Sequence, residues 1–329
     1  MRVFERGGRR REITLDPFAS SPIKAKWDAD RECKQLLADG WTEVERDEEL
    51  ALSKPELLAA IAEDPDNLDN YPILGDWLSE RGDPWGQLIA IQHALATLPR
   101  FGAGAKREEL AREESRVMFM AAKRLWGPLG TTIVDEATQR YASDVLDCDW
   151  KCGFIRYARG RASATELELV LRDFAGLEIA QFVDKLALES YGWSRTFGDA
   201  LAAHAWPSLL ELDIRTPTNV EHGERLDARA VVPMLAADHT PRLVKLSLSG
   251  THSTDRLCLA LATSPVGRRL EALTLLDTQL TDEGVAYLQG AQFDNLRRLR
   301  INGTGPRNAA AALSRLAAVA EIDFGDYDD

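Results

Sequence analysis

The chain has 329 residues, 45% hydrophobic and 28% charged, with a formal net charge of −13. That length holds a sizeable core and more than one domain. The acidic balance argues against a broad nucleic-acid-binding surface, which needs a basic face, and no apolar run approaches the roughly 20 residues needed to span a bilayer.

Residues 1–46 read as a small α/β unit. Arg11 to Asp16 alternates polar and apolar residues, as a half-buried strand does, residues 17–22 are turn-rich, and Ala29 to Asp39 forms a helix that Gly40 stops. The terminus carries no apolar leader segment, which points to the cytoplasm. Arg2, Arg6, Arg9, Arg10, Arg11, Lys24 and Lys26 make a basic patch interleaved with Glu5, Glu12 and Asp16.

Residues 53–97 form a helical module. Ser53 and Pro55 open the first helix, which Asp64, Pro65 and Asp66 break. A second helix runs from about Leu68 to Glu80 and ends before Gly82, with Trp77 and Leu78 placed on its buried side. A third begins at Pro84, capped by Asp83. Residues 101–106 are a glycine-containing break. Residues 105–149 then hold a long amphipathic helix, Arg107 to Leu125, ended by Gly127 and Pro128, and a connector.

From 150 to 329 one pattern dominates. Leu243, Leu246 and Leu248 are echoed by Leu270, Leu273 and Leu275, and again by Leu296, Leu299 and Ile301. The first Leu advances by 27 and then 26 residues, and Thr251, Thr278 and Thr304 hold equivalent places. Val183, Leu186 and Leu188, then Leu209, Leu212 and Ile214, fit the same template, as do Val319, Ile322 and Phe324 at the end; Phe154 and Ile155 start a first, irregular strand. Residues 230–236, 255–262, 282–288 and 309–316 are the helical stretches between strands. One interval is longer, and its surplus falls in residues 216–229, an expected edge loop.

A period of about 20–29 residues with L-x-x-L-x-L resembles the leucine-rich repeat. The expected fold class is therefore α/β: a leucine-rich-repeat solenoid of ribonuclease-inhibitor-like strand–helix units, preceded by the helical module and the small N-terminal unit. Each unit buries its apolar face only by stacking, which leaves an extended concave surface suited to binding proteins. Because strand side chains alternate, the positions beside the core leucines face that surface. The candidate partner-binding residues are Lys185, Glu189, Glu211, Asp213, Arg215, Lys245, Ser247, Thr274, Leu276, Arg298, Arg300 and Asn302, a polar face of mixed charge.

Leu57 to Asp66, then Leu74, Gly75, Asp76, Trp77, Leu78, Glu80, Arg81, Gly82 and Asp83, and then Gly86, Ile89, Ile91 and Gln92 resemble the repeat-companion domain, a short bacterial module found ahead of leucine-rich repeats. Gly75 stands where the family prefers Ala. The segments around Trp126 and Pro128, and from Trp150 to Ile155, are similar to those joining that module to its repeats. This resemblance implies an architecture and carries no catalytic residue with it. Residues 1–46 resemble a degenerate WGR domain in which Trp27 is followed by Asp28.

No catalytic constellation stands out. Gly102, Gly104 and Lys106 lack the spacing of a phosphate loop. Residues 64–75 put Leu68 and Gly75 where a calcium loop needs oxygens. Cys148 and Cys152 have no second Cys/His pair for zinc, and the four cysteines read as free thiols. The expectation is a non-enzymatic protein that binds another protein, as scaffold or inhibitor, with no cofactor, no metal and no membrane contact. The alternatives are nucleic-acid binding through the N-terminal basic strand, and an enzyme whose site is not recognisable.

Overall fold

A computed structural model describes residues 2–7, 9–13, 31–44, 52–99, 101–130, 134–135, 140–141, 145–191, 193, 196–217, 225–235, 239–303, 313 and 321–323. Several expectations lie outside these residues: the turn-rich loop at 17–22, Lys24, Lys26 and Trp27, residues 218–224 of the insertion with His222, Thr304, most of 309–316, and the tail from Phe324. The chain divides into two compact units, Met1–Leu110 and Ala111–Asp329.

The first unit opens with a three-stranded antiparallel sheet in the order β2-β1-β3. β1 (Arg2–Arg6) turns at Gly7 into β2 (Arg9–Ile13), and β3 (Thr42–Val44) pairs on the other edge of β1. Between β2 and β3 lies a helix, α1 (residues 31–38). Its Cys33 and Leu36 are buried, with Trp41 packed against them. The Arg6 guanidinium donates to the Asp39 carbonyl, tying β1 to the end of α1. Sequence reading found one strand here; β1 and its hairpin escaped it because their charges obscure the alternation.

Three helices follow: α2 (Lys54–Glu63), α3 (Asn70–Glu80) and α4 (Pro84–Thr97). The Ser53 amide donates to the Glu56 carboxylate at 2.7 Å, and the Asp83 carboxylate accepts from the Trp85 amide at 3.0 Å. Both contacts satisfy donors that a helix start leaves open. The core of this module is Leu57, Ile61, Tyr71, Leu74, Leu78, Trp85, Leu88 and Ile89, each no more than 3% exposed. Trp77 departs from expectation. It is only half-buried, and the Arg81 guanidinium lies over its ring at 3.8 Å. The buried stripe runs through Tyr71, Leu74 and Leu78 instead, so Trp77 sits at its margin as a cation–π platform. Helices α3 and α4 meet at two glycines: a Cβ on Gly86 would stand 2.4 Å from the Gly75 carbonyl oxygen.

Helix α5 (Gly104–Trp126) starts inside the segment expected to be a break, so residues 98–103 separate it from α4. A 3-10 turn, Gly127–Leu129, ends it as the Gly-Pro pair requires.

The second unit is built on an eight-stranded sheet in the order β15-β14-β13-β11-β9-β8-β7-β6. Its strands are β6 (Leu146–Lys151), β7 (Phe154–Ser163), β8 (Lys185–Tyr191), β9 (Glu211–Arg215), β11 (Lys245–Ser249), β13 (Ala272–Thr278), β14 (Arg298–Gly303) and β15 (Glu321–Asp323). β6 and β7 form an antiparallel hairpin across Cys152 and Gly153, and every later pair is parallel. The sheet therefore starts before residue 150. Two short pairs lie apart from it: β4 (Val134–Asp135) with β5 (Arg140–Tyr141), and β10 (Leu226–Asp227) with β12 (Thr251–His252).

Parallel neighbours need a crossover between them. These are α6 (Ala164–Phe174), α7 (Phe197–Ala202), a 3-10 helix at Ala228–Leu235, α8 (Thr254–Thr263) with α9 (Pro265–Arg269), and α10 (Asp282–Gly290). Successive crossovers pack on one another as the strands do. Their shared core is two leucine rows: Leu186, Leu212, Leu246, Leu273 and Leu299, and beside them Leu188, Ile214, Leu248, Leu275 and Ile301, all 6% exposed or less. The insertion after β9 returns at Arg225 and forms β10 rather than staying a plain loop. Among the described residues no helix is long and apolar enough to cross a membrane.

Candidate binding face of the parallel sheet

With both leucine rows facing the crossovers, the intervening side chains share the other face of the sheet. The strand register fixes them in three rows. The first runs Tyr157, Lys185, Glu211, Lys245, Ala272, Arg298; the second Arg159, Ala187, Asp213, Ser247, Thr274, Arg300; the third Arg161, Glu189, Arg215, Ser249, Leu276. β15 places Glu321 and Asp323 in register beside Arg298 and Arg300.

Across β7–β9 the charges answer one another. Lys185 Nζ lies 2.7 Å from Glu211 Oε1 and 5.4 Å from the Tyr157 ring centroid. Glu189 takes Arg161 at 3.2 Å and Arg159 at 3.8 Å. Arg215 Nη2 lies 2.6 Å from Asp213 Oδ2. Burial alone would raise the Glu211 carboxyl, but the hydrogen bond from Lys185 and the charges of Lys185 and Lys245 hold it below its ordinary range. The same hydrogen bond raises Lys185, and Asp213 raises Arg215.

Across β11–β14 the face changes character. Lys245 approaches the other oxygen of Glu211, Oε2, at 3.6 Å, while Lys185 holds Oε1. Beyond it the first two rows are Ala272, Ser247 and Thr274, then the exposed Arg298 and Arg300. The small side chains leave a groove of about 580 Å³, lined by Glu211, Asp213, Arg215, Lys245, Leu246, Ser247, Ala272, Thr274, Leu276, Arg298, Leu299 and Arg300. A smaller depression of about 170 Å³ adjoins it between Tyr157, Arg159, Lys185, Glu189 and Arg215.

Eleven of the twelve residues singled out from the sequence line one or both of these hollows; Asn302, on β14, lines neither. Asp213 differs in kind from the others. Expected to face a partner, it is only 6% exposed beneath the Arg215 guanidinium and belongs to the wall more than to the contact surface. Sequence reading missed Tyr157, Arg159 and Arg161. Their strand carries Ala158 and Gly160 where the other strands carry leucine, so the leucine template does not fit; the period-2 alternation of Tyr157, Arg159 and Arg161 was the available signal.

No family model matches this chain, and no curated protein does. Among solved structures, it is similar to the crystal structure of a structural-genomics target from Bacteroides fragilis. That protein is 13% identical, with 100% of this chain and 96% of the other covered, at a TM-score of 0.38.

Among the described residues no group of three His, Cys, Asp or Glu is placed to hold a metal ion. The four cysteines are free thiols, three buried and Cys148 half-buried. Burial raises three of them: Cys148 far above the usual thiol range, where Asp147 and Asp149 add to it, Cys152 to about 11 and Cys258 to about 12.

Proposed function

We propose that this chain is a non-enzymatic binding protein, a leucine-rich-repeat solenoid behind a repeat-companion module, which holds another protein on the open face of its parallel sheet. The observation that carries this reading is the groove of about 580 Å³ across β9, β11, β13 and β14, walled by charged side chains and floored by small ones. Such a surface suits a polar, electrostatically steered contact. The leucine rows support the solenoid reading, because in-register stacking buries each unit's apolar edge against the next. Free, buried thiols suit a reducing compartment.

The test compares capture of partner protein by the wild type and by the Lys245→Glu/Arg298→Glu double variant, with the fold of each checked by circular dichroism. A stoichiometric protein held by the wild type and lost by the variant is the expected result. Equal capture by both would remove the sheet face as the site.

A further inference from the structure

The first row of the face is built around Glu211. Lys185 stands on one side of it, 2.7 Å from Oε1, and Lys245 on the other, 3.6 Å from Oε2. Next outward in register come Tyr157 on β7, beside Lys185, and Ala272 on β13, beside Lys245. The order Tyr157, Lys185, Glu211, Lys245, Ala272 is symmetric in charge but not at its ends. A ring fills one end and a methyl group leaves the other open. Lys185 Nζ lies 5.4 Å from the Tyr157 ring centroid while it is paired with Glu211, inside the roughly 6 Å reach of a cation–π contact. A cation of this face that is already held by a carboxylate therefore still packs on an aromatic ring. Where Lys185 has that ring, Lys245 has the Ala272 methyl group.

Resting on the reading of this face as a protein-binding surface, we infer that the groove is an anchor pocket for an aromatic side chain of the partner, seated over Ala272 beside Lys245 as Tyr157 sits beside Lys185, and that tyrosine fits it best. The groove of about 580 Å³ includes Ala272 in its lining, together with Leu246, Leu276, Leu299 and the hydroxyl-bearing Ser247 and Thr274. Arg298 follows Ala272 in the same row. Strands are about 4.8 Å apart, so a ring over Ala272 stands between an exposed lysine and an exposed arginine that leave the sheet about 10 Å from each other. The electronegative face of the ring complements both cations. No free charge is required, because a guanidinium hydrogen-bonded at its edge keeps its faces for stacking. The ring covers the apolar lining, and the phenol hydroxyl has Ser247 and Thr274 as hydrogen-bond partners. An aliphatic side chain would fill the same space but offer the cations nothing. Aromatic residues seated in such pockets carry much of the affinity of protein interfaces.

The test titrates the full chain against short Gly/Ser peptides with one central Tyr, Leu or Ala, read by ligand-observed NMR. The Tyr peptide should bind at least about fivefold tighter than the Leu and Ala peptides. Ala272→Tyr sets the chain's own ring where the guest would sit and should erase that margin. Lys245→Met keeps the stem but removes the charge, and should bring the Tyr peptide close to the Leu peptide. Arg161→Gln, in the third row and outside the groove, should leave the margin intact. Equal binding of the Tyr and Leu peptides, or a margin that survives both Ala272→Tyr and Lys245→Met, would overturn the inference. Partner capture by the Lys245→Glu/Arg298→Glu variant separates this failure from that of the broader reading. If the Tyr peptide has no margin yet that variant loses the partner, the face still binds protein and the aromatic anchor is wrong. If capture survives as well, both are wrong.

Discussion

Lys185 Nζ stands 2.7 Å from Glu211 Oε1, one strand over in the same row of the sheet. The contact commits Glu211 to β8 and leaves Lys245, on its other side, at 3.6 Å. The carboxylate thus stands between a lysine on β8 and a lysine on β11.

That commitment gives Glu211 a pH signature. Its carboxyl is held below the ordinary value of 4.5, so its contribution to stability is fully present above that value and is lost as pH falls through the depressed folded value. Lys185 is raised above 10.5, so its share persists below that pH and is lost as pH climbs through the raised folded value. Glu211→Gln should cost about 0.5–1 kcal/mol near pH 7, the scale of partly exposed ion pairs. The deficit should vanish in strong acid. Urea midpoints of both forms from pH 3 to 7 measure this, and parallel curves would contradict it.

The approach of α3 and α4 predicts a sharp asymmetry between two glycines. A Cβ on Gly86 would meet the Gly75 carbonyl oxygen at 2.4 Å, Ser79 Oγ at 2.5 Å and the Ser79 amide at 2.7 Å, two of the three being backbone atoms that have little room to yield. A Cβ on Gly75 would meet mainly Ile89 Cγ2 at 3.1 Å, the end of a side chain. Gly86→Ala should therefore destabilise the helical module by about 2 kcal/mol, while Gly75→Ala should fall within about 0.5 kcal/mol of wild type, its strain offset by helix propensity. Denaturation followed by circular dichroism, with limited proteolysis of residues 52–99, separates the two.

The thiols should be inert in the folded chain. Cys152, raised to about 11, leaves about one thiolate in a thousand at pH 8. Cys258 is raised to about 12 and Cys148 further still, and Cys33 is buried at 3% exposure. Iodoacetamide at pH 8 should label none of the four in minutes and all four in concentrated urea, read by intact mass. Rapid native labelling of any one would show that its segment opens.

What could be read in advance follows from the kind of signal each feature leaves. The leucine spacing carried far: Leu246, Leu273 and Leu299 pair in register, and from that register the neighbours Lys245, Thr274 and Arg298 reach a common groove. A period over several units is redundant, so local exceptions do not erase it. β6 left no such trace, and β7 was legible only at its start, Phe154 and Ile155, since Ala158 and Gly160 fill the later core places through small size. Alternation assigns Asp213 a face of the sheet but cannot show Arg215 folding over it. Trp77 misled because helix phase tolerates an aromatic residue at the margin of the buried stripe, and only the packing of Tyr71 and Trp85 fills the centre.

Arg225, where the described chain resumes in the insertion after β9, makes an ion pair with Asp277, whose backbone gives that pair a distinctive genetics. Arg225, with its side chain 13% exposed, reaches Asp277 Oδ2 at 3.2 Å and donates to Oδ1 at 3.3 Å. Asp277 sits where the β13–β14 register slips, with φ of +47°, in the left-handed region that favours glycine. Asp277 therefore bears a backbone cost that its bond to Arg225 offsets. Asp277→Ala loses the bond and keeps the cost, and should destabilise by about 1–2 kcal/mol. Asp277→Gly loses the bond but relieves the backbone, and should fall between Ala and wild type. In an Arg225→Ala background nothing rewards the aspartate, so there Asp277→Gly should become stabilising. A double-mutant cycle on unfolding free energies reads this change of sign; the same sign in both backgrounds would show that the ion pair does not sustain the left-handed residue.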